Sequence, residues 1–266
     1  MFLFLFLLLP FSALQSTICS VNSLDQLKTI LNTVNSCDLI AFDIDCTLVI
    51  PNDMVLRPCG SDYFLKQCSN IPTAQIQQLI SKILLSRLLS PLDADMPDYL
   101  RQLQAQTKII ALTSHSPGRL GAINNVEAWR RQELMRAGFD FSSTFSYYQH
   151  IVFGDLIHEG VYPVFKDGIL FTALLSKAKA LQALLGRVKY QPKRIFFIDD
   201  SKDQVEALHT ALEKHEIESV CIHYNRVEML NDRFDETIAQ QQFDFLRIHE
   251  QWLSDSDVRQ MDKRAE

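Results

Sequence analysis

The chain lacks most of the short signatures that announce a chemistry. No Cys-x-x-Cys spacing occurs among the six cysteines at 19, 37, 46, 59, 68 and 221; they read as buried free thiols, with Cys59 and Cys68 as a pair that would close a short loop in an exported protein. The seven His residues show no H-E-x-x-H or other paired ligand spacing, so no zinc site is supported. No G-x-S-x-G turn is present, and Ser114-His115-Ser116 therefore does not read as Ser/His nucleophilic catalysis. Basic residues are not in excess: 26 Lys and Arg stand against 32 Asp and Glu, a formal charge of −6. That balance argues against broad nucleic-acid binding, which needs a basic face. Repeats, low-complexity linkers and coiled-coil heptads are missing as well.

What is present is a globular composition, 47% apolar and 22% charged over 266 residues, enough for a single sizeable core with modest inserts. The stretch from Phe2 to Leu14 is almost wholly apolar and gives way to small and polar residues. It reads as the hydrophobic part of a signal peptide over residues 1–20, with cleavage near Ser16 to Ser20, and implies export to a periplasm or the medium. No Lys or Arg precedes Lys28, so the positive region of such a leader is only the amino terminus. The stretch is short for a bilayer span, which takes about 20 residues, and no second one follows. No stable transmembrane span is expected.

Helical and strand patterns alternate along the rest. Leu24, Leu27, Ile30, Leu31 and Val34 behind Ser23 predict a first helix. Buried strands are expected at Leu39–Phe42, Ile109–Leu112, Arg194–Ile198 and Ser219–His223. Helices are expected through Ile76–Leu88, from Pro117 to Gly138, from Lys177 to Gly186, through Val205–Leu212, and from Phe234 to Leu253 with Phe245, Ile248 and Trp252 on its apolar stripe. Val161–Phe165 and Ile169–Phe171 flank Lys166-Asp167-Gly168 as a hairpin, with Pro163 marking an edge strand. The pattern predicts an α/β fold with a parallel sheet covered on both faces. A main domain over 21–254 would carry inserts around 51–107 and 139–172, forming a helical flap and a hairpin lid, and 255–266 would be a polar tail.

Three of these strands end in polar residues. Asp43-Ile44-Asp45-Cys46-Thr47-Leu48 follows the first, Thr113-Ser114 the second, and Asp199-Asp200-Ser201-Lys202-Asp203 the third, while Lys177 opens the helix before it. A strand sends residues 43 and 45 to one side, and ligands of open α/β sheets bind at the carboxyl ends of strands. Each feature has a plain alternative: an Asp-rich turn, a strand-end threonine, a solvated lysine, a capping Asp203. Gathered at one sheet edge, the carboxylates would need a hard cation and a lysine to offset their charge, and Mg²⁺ suits an all-oxygen site shared with a phosphate.

From Leu39 to His223 these motifs, in this order, resemble the haloacid dehalogenase-like phosphatase superfamily: hhhhDxDxT at Asp43, Asp45 and Thr47, a run ending in Thr113, a motif lysine at Lys177, and a terminal acidic motif at Asp199, Asp200 and Asp203. The resemblance implies a doubly wound three-layer core and a Mg²⁺-dependent phosphomonoester hydrolase. Asp43 would be the nucleophile that forms an aspartyl-phosphate, and Asp45 the general acid/base. Thr47, Thr113, Ser114 and Lys177 would hold a small phosphorylated substrate. The metal would take Asp43, the Asp45 carbonyl and either Asp199 or Asp200, with Asp203 as an outer partner; Lys179 is the rival lysine. The leader and modest inserts also resemble secreted acid phosphatases and uncharacterised bacterial relatives of them. A phosphotransferase or mutase on the same carboxylates, or a secreted interaction protein without turnover, are the competing readings.

Overall fold

The sheet is assembled from the apolar runs, in a computed structural model that describes residues 16–69, 71–157 and 159–265. Strand β1 (Thr17–Val21) precedes helix α1 (Leu24–Leu31), whose Ser23 cap accepts from the Gln26 N–H. β2 (Leu39–Asp43) is buried at every position. Two short strands, β3 (Val49–Pro51) and β4 (Leu89–Pro91), pair antiparallel and bracket α2 (Ser61–Cys68) and α3 (Thr73–Ser86). The chain continues through α4 (Met96–Gln104), β5 (Lys108–Thr113) and α5 (Val126–Arg136). Then come β6 (His150–Val152), β7 (Val164–Lys166), β8 (Ile169–Phe171) and α6 (Lys177–Val188). β9 (Arg194–Asp199), α7 (Lys202–Lys214), β10 (Glu218–Tyr224), α8 (Glu236–His249) and α9 (Asp255–Ala265) complete it.

The strand order is β1-β10-β9-β2-β5-β8-β7-β6. From β1 to β8 every pairing is parallel; β7 and β6 are antiparallel additions at one end. Alternate side chains leave the strands on opposite faces. Ile40, Phe42, Phe196 and Ile198 join a core with α1 and α4, whereas Leu39, Ala41, Ile195 and Phe197 join a second with α6 and α7. The protein is thus an α/β fold whose mostly parallel sheet is covered on both faces, which is why these strands read as continuous apolar runs. No described helix is long and apolar enough to cross a membrane.

Several expectations need correction. The hairpin at Gly168 forms, but it extends the main sheet instead of making a lid, because β8 is buried and pairs with β5. Gly168 has φ +80°, and a Cβ there would lie 1.9 Å from the Phe141 carbonyl oxygen, so only glycine fits. Pro163 sits just outside β7, which is internal; β6 is the edge. The expected polar tail is a packed helix over its described part: Asp255–Ala265 is helical and buries Val258. The helix before it is shorter than expected, and its inner face is Ile238, Ala239, Phe243 and Leu246, with Ile248 exposed and Trp252 buried beyond its end. Helix α5 starts nine residues after Pro117, with Asn125 as its cap and Met135 exposed. Helix α6 passes Gly186 and ends with Lys189 in a left-handed conformation.

The insert at 51–107 divides. Val55, Tyr63 and Ile83 form a third apolar cluster with Ala239, Phe243, Leu246 and Trp252, while Met96, Leu100 and Leu103 of α4 belong to the main core. The part through α3 therefore joins α8 in a small cap-like cluster of its own, although Leu84 of α3 also packs into the main core. Most of the expected leader, residues 1–15, lies outside the described residues. Thr17–Ser20 form most of β1, in register with Val220–His223 of β10, so a leader ending at residue 20 would take an edge strand with it. All six cysteines are free, Cys59 and Cys68 included.

Candidate active site

β2 lies between β5 and β9, and connections leave it in both directions along the sheet, a topological switch point of the kind where ligands bind. The parallel register sets Asp43 beside Leu112 and Phe42 beside Ile198, so Asp43, Thr113 and Asp199 end their strands together. A cleft of about 610 Å³ opens there, lined by Asp43, Asp45, Thr113, Ser114, His115 and Arg119 among others.

Lys177 is buried and donates to both Asp43 and Asp199, the latter at 2.6 Å. Burial opposes its charge, but the two carboxylates raise its pKa overall. Burial pushes Asp43 well above the ordinary carboxylate range, with the Asp199 charge adding to the push and Lys177 opposing it. Lys179, the rival, is exposed and does not enter the site.

Asp43, Asp199 and Asp200 bring carboxylate oxygens within 4.8 Å of one another. Both oxygens of Asp199 are engaged, one by Lys177 and the other by the Ser201 N–H at 2.8 Å. Among the described residues the Asp200 carboxylate has only a 3.4 Å contact from the Thr47 hydroxyl, which makes it the freer donor for a cation. Burial, then the Asp199 charge, pushes Asp200 up to about 6. Thr47 is fully buried and its hydroxyl also accepts from the Asp200 N–H at 3.0 Å. It shapes the acidic loop and does not reach the cleft, contrary to its expected place among the substrate-binding residues. Thr113 and Ser114 do line the cleft, and the Thr113 hydroxyl accepts from the His115 N–H. Asp203 is exposed in the first turn of α7 and stands outside the acidic cluster; Ser201 is the cap.

Asp45 has partners that the sequence did not disclose. Arg130 Nη2 lies 2.5 Å and His115 Nε2 3.8 Å from Asp45 Oδ2, and Arg87 Nη2 lies 3.8 Å from Oδ1. Burial pushes Asp45 up, yet Arg130, Arg87 and His115 outweigh it and hold the carboxyl well below its usual range. Glu133 joins the two guanidiniums, accepting from Arg87 at 2.8 and 3.1 Å and from Arg130. The available signal was the run Glu127, Arg130, Glu133, charges three apart on the side of α5 that also carries Val126 and Leu134; all five are buried.

A family model described as "Protein of unknown function (DUF2608)" matches residues 20–259. The chain belongs to that family. An uncharacterized protein of Rickettsia prowazekii is 24% identical over 91% of this chain and 89% of its own length. An uncharacterized protein of Rickettsia bellii is 24% identical over 84% and 82%. A second from Rickettsia prowazekii is 26% identical over 55% and 51%. No solved structure matches.

Proposed function

We propose that this protein is a Mg²⁺-dependent phosphomonoester hydrolase of the haloacid dehalogenase-like kind, working through an aspartyl-phosphate on Asp43. The observation that carries the reading is a charge balance at the cleft floor. Three carboxylates, Asp43, Asp199 and Asp200, meet one ammonium, Lys177, which leaves a formal charge of −2 at the carboxyl edge of a parallel sheet. That deficit and the all-oxygen donor set fit a hard divalent cation. Asp43 and Asp200 would hold it with the Asp45 carbonyl, and when bound it would offset charge on the carboxylates and the substrate phosphate.

The chain's own groups account for the rest. Lys177 holds Asp43 in place, so one oxygen of the nucleophile is fixed and the other is free to attack phosphorus. As the Asp43–phosphorus bond forms, the bond from phosphorus to the leaving oxygen breaks, and that oxygen keeps the electron pair and takes a proton. Asp45, two residues on and facing the same cleft, is placed as a carboxylate to take a proton from the water that releases phosphate from Asp43, and only in that protonated form can it deliver a proton to the leaving oxygen of a following turnover; otherwise the proton comes from solvent. The guanidiniums hold Asp45 as a carboxylate at rest, the state the water step uses. Leaving groups that need little protonation, aryl more than alkyl, are therefore the better substrates. The Thr113 hydroxyl is positioned for a phosphoryl oxygen.

The test is hydrolysis of p-nitrophenyl phosphate with Mg²⁺ and with chelator, using wild type, Asp43→Asn and Asp45→Asn. Turnover is expected to need the cation and to be lost in Asp43→Asn; unchanged turnover in that variant would sink the mechanism. Export is part of the proposal, and keeping β1 intact requires a mature N-terminus at or before Ser16. Intact mass of the protein from its host reads this directly, and a retained Met1 counts against export.

A further inference from the structure

The half-buried Asp45 is backed by three buried charged side chains, Arg130, Glu133 and Arg87. Arg130 is fully buried on α5, with one guanidinium nitrogen on Asp45 and another donating to Glu133. Glu133 takes both remaining contacts from Arg87, whose own Nη2 returns to the other oxygen of Asp45 at 3.8 Å. Trp129 packs beneath, its ring centroid 5.7 Å from the Arg87 and 5.8 Å from the Arg130 guanidinium carbon. Two guanidiniums and two carboxylates sum to zero, so the network adds no net charge to the cleft. What it adds is orientation: both Asp45 oxygens face a guanidinium, and Asp45 makes no other ion pair among the described residues save with His115. Arg87 is also the C-terminal cap residue of α3, which links the network to the cap.

We infer that Arg130, with Glu133 and Arg87, is a positioning device that aims Asp45 at the water that hydrolyses the phosphorylated enzyme. This rests on the functional reading above and deepens it. The step is a hydrolysis: water loses a proton to Asp45, its oxygen bonds to phosphorus, and the bond from phosphorus to the Asp43 oxygen breaks with its electron pair returning to Asp43. Groups in a network of this kind also hold a fold together, because removing one partner leaves a buried charge uncompensated. The two roles separate in the time course.

Rapid-mixing release of nitrophenolate from p-nitrophenyl phosphate with Mg²⁺ reads both steps. In Arg130→Met the first turnover should persist, since nitrophenolate departs without a proton, while steady-state turnover falls about 100-fold, the scale of a misplaced proton-transfer group. Phosphorylated enzyme should then accumulate by intact mass, with KM not raised. Arg130→Lys should recover part of the loss, and Arg87→Met should show the same burst and a milder stall. Circular dichroism and melting check folding; if Arg130→Met is unfolded, Arg130→Lys and Arg87→Met decide. Variants that turn over like wild type, or lose burst and turnover in parallel, overturn the clamp alone. A wild type without hydrolysis overturns the functional reading, and the clamp's role with it.

Discussion

Cys46 stands between the two carboxylates with φ +61°, a left-handed backbone that side chains with a Cβ adopt at a cost of roughly 1–2 kcal/mol. The turn is held by the Cys46 N–H donating to Val49 O at 2.8 Å and by Leu48 N–H donating to Ile44 O at 3.0 Å. Burial, then Asp200, Asp45 and Asp43, pushes the thiol up to about 12, so it stays protonated and unreactive at neutral pH. Its contribution is conformational. Cys46→Gly should keep stability within about 1 kcal/mol of wild type, and Cys46→Val should lose about 1–2 kcal/mol, read from denaturant midpoints. Asp200 makes a second prediction. Its pKa is raised from 3.8 to about 6, so the folded, cation-free protein binds a proton more tightly than the unfolded chain in that window. Stability without metal therefore falls as pH rises from about 4 to about 6, and the raised Asp43 acts in the same direction. A divalent cation competes with those protons, so the rise in Tm on adding Mg²⁺ should be larger near pH 7 than near pH 5. An equal rise at both would remove the cation from this site.

Among the elements, the cap depends on the far end of the chain. Trp252 is buried against Phe243 and donates its indole N–H to Asp53 at 2.9 Å, and Asp255 accepts from the Met54 N–H at 3.1 Å. Trp252→Ala should cost about 3–5 kcal/mol, and hydrogen exchange should quicken in α2 and α3 before it does in β2 and β9. Equal protection across all four would mean that cap and core open as one unit. This linkage was illegible in the sequence. The four strands were legible because each has an apolar run at its centre, and the first helix because Ser23 caps a clear stripe. Helix α9 was missed because Val258 is its one buried side chain among the described residues and most of the others are charged or polar. The hairpin residues were legible, but its attachment to β5 is a long-range pairing that Lys166-Asp167-Gly168 does not encode.

For the molecule as a whole, sheet topology gathers residues 134 and more positions apart, Asp43 and Lys177 among them, at one edge. The motif residues were readable because each follows a strand or opens a helix. Arg87, Arg130 and Glu133 were not, because buried charges on a helix look in sequence like a solvated face. Thr47 shares the stretch that carries Asp43 and Asp45, but its burial behind Asp200 makes it a structural partner of the loop. The central claim is covalent phosphorylation of Asp43, and borohydride trapping during turnover of an aryl phosphate tests it most directly, since an aspartyl-phosphate is reduced while a free carboxylate is not. Peptide mass mapping should find the reduced side chain at position 43, dependent on substrate and Mg²⁺ and absent from Asp43→Asn. Turnover with no reduction at position 43, or with reduction at 45, 199 or 200, would contradict the account.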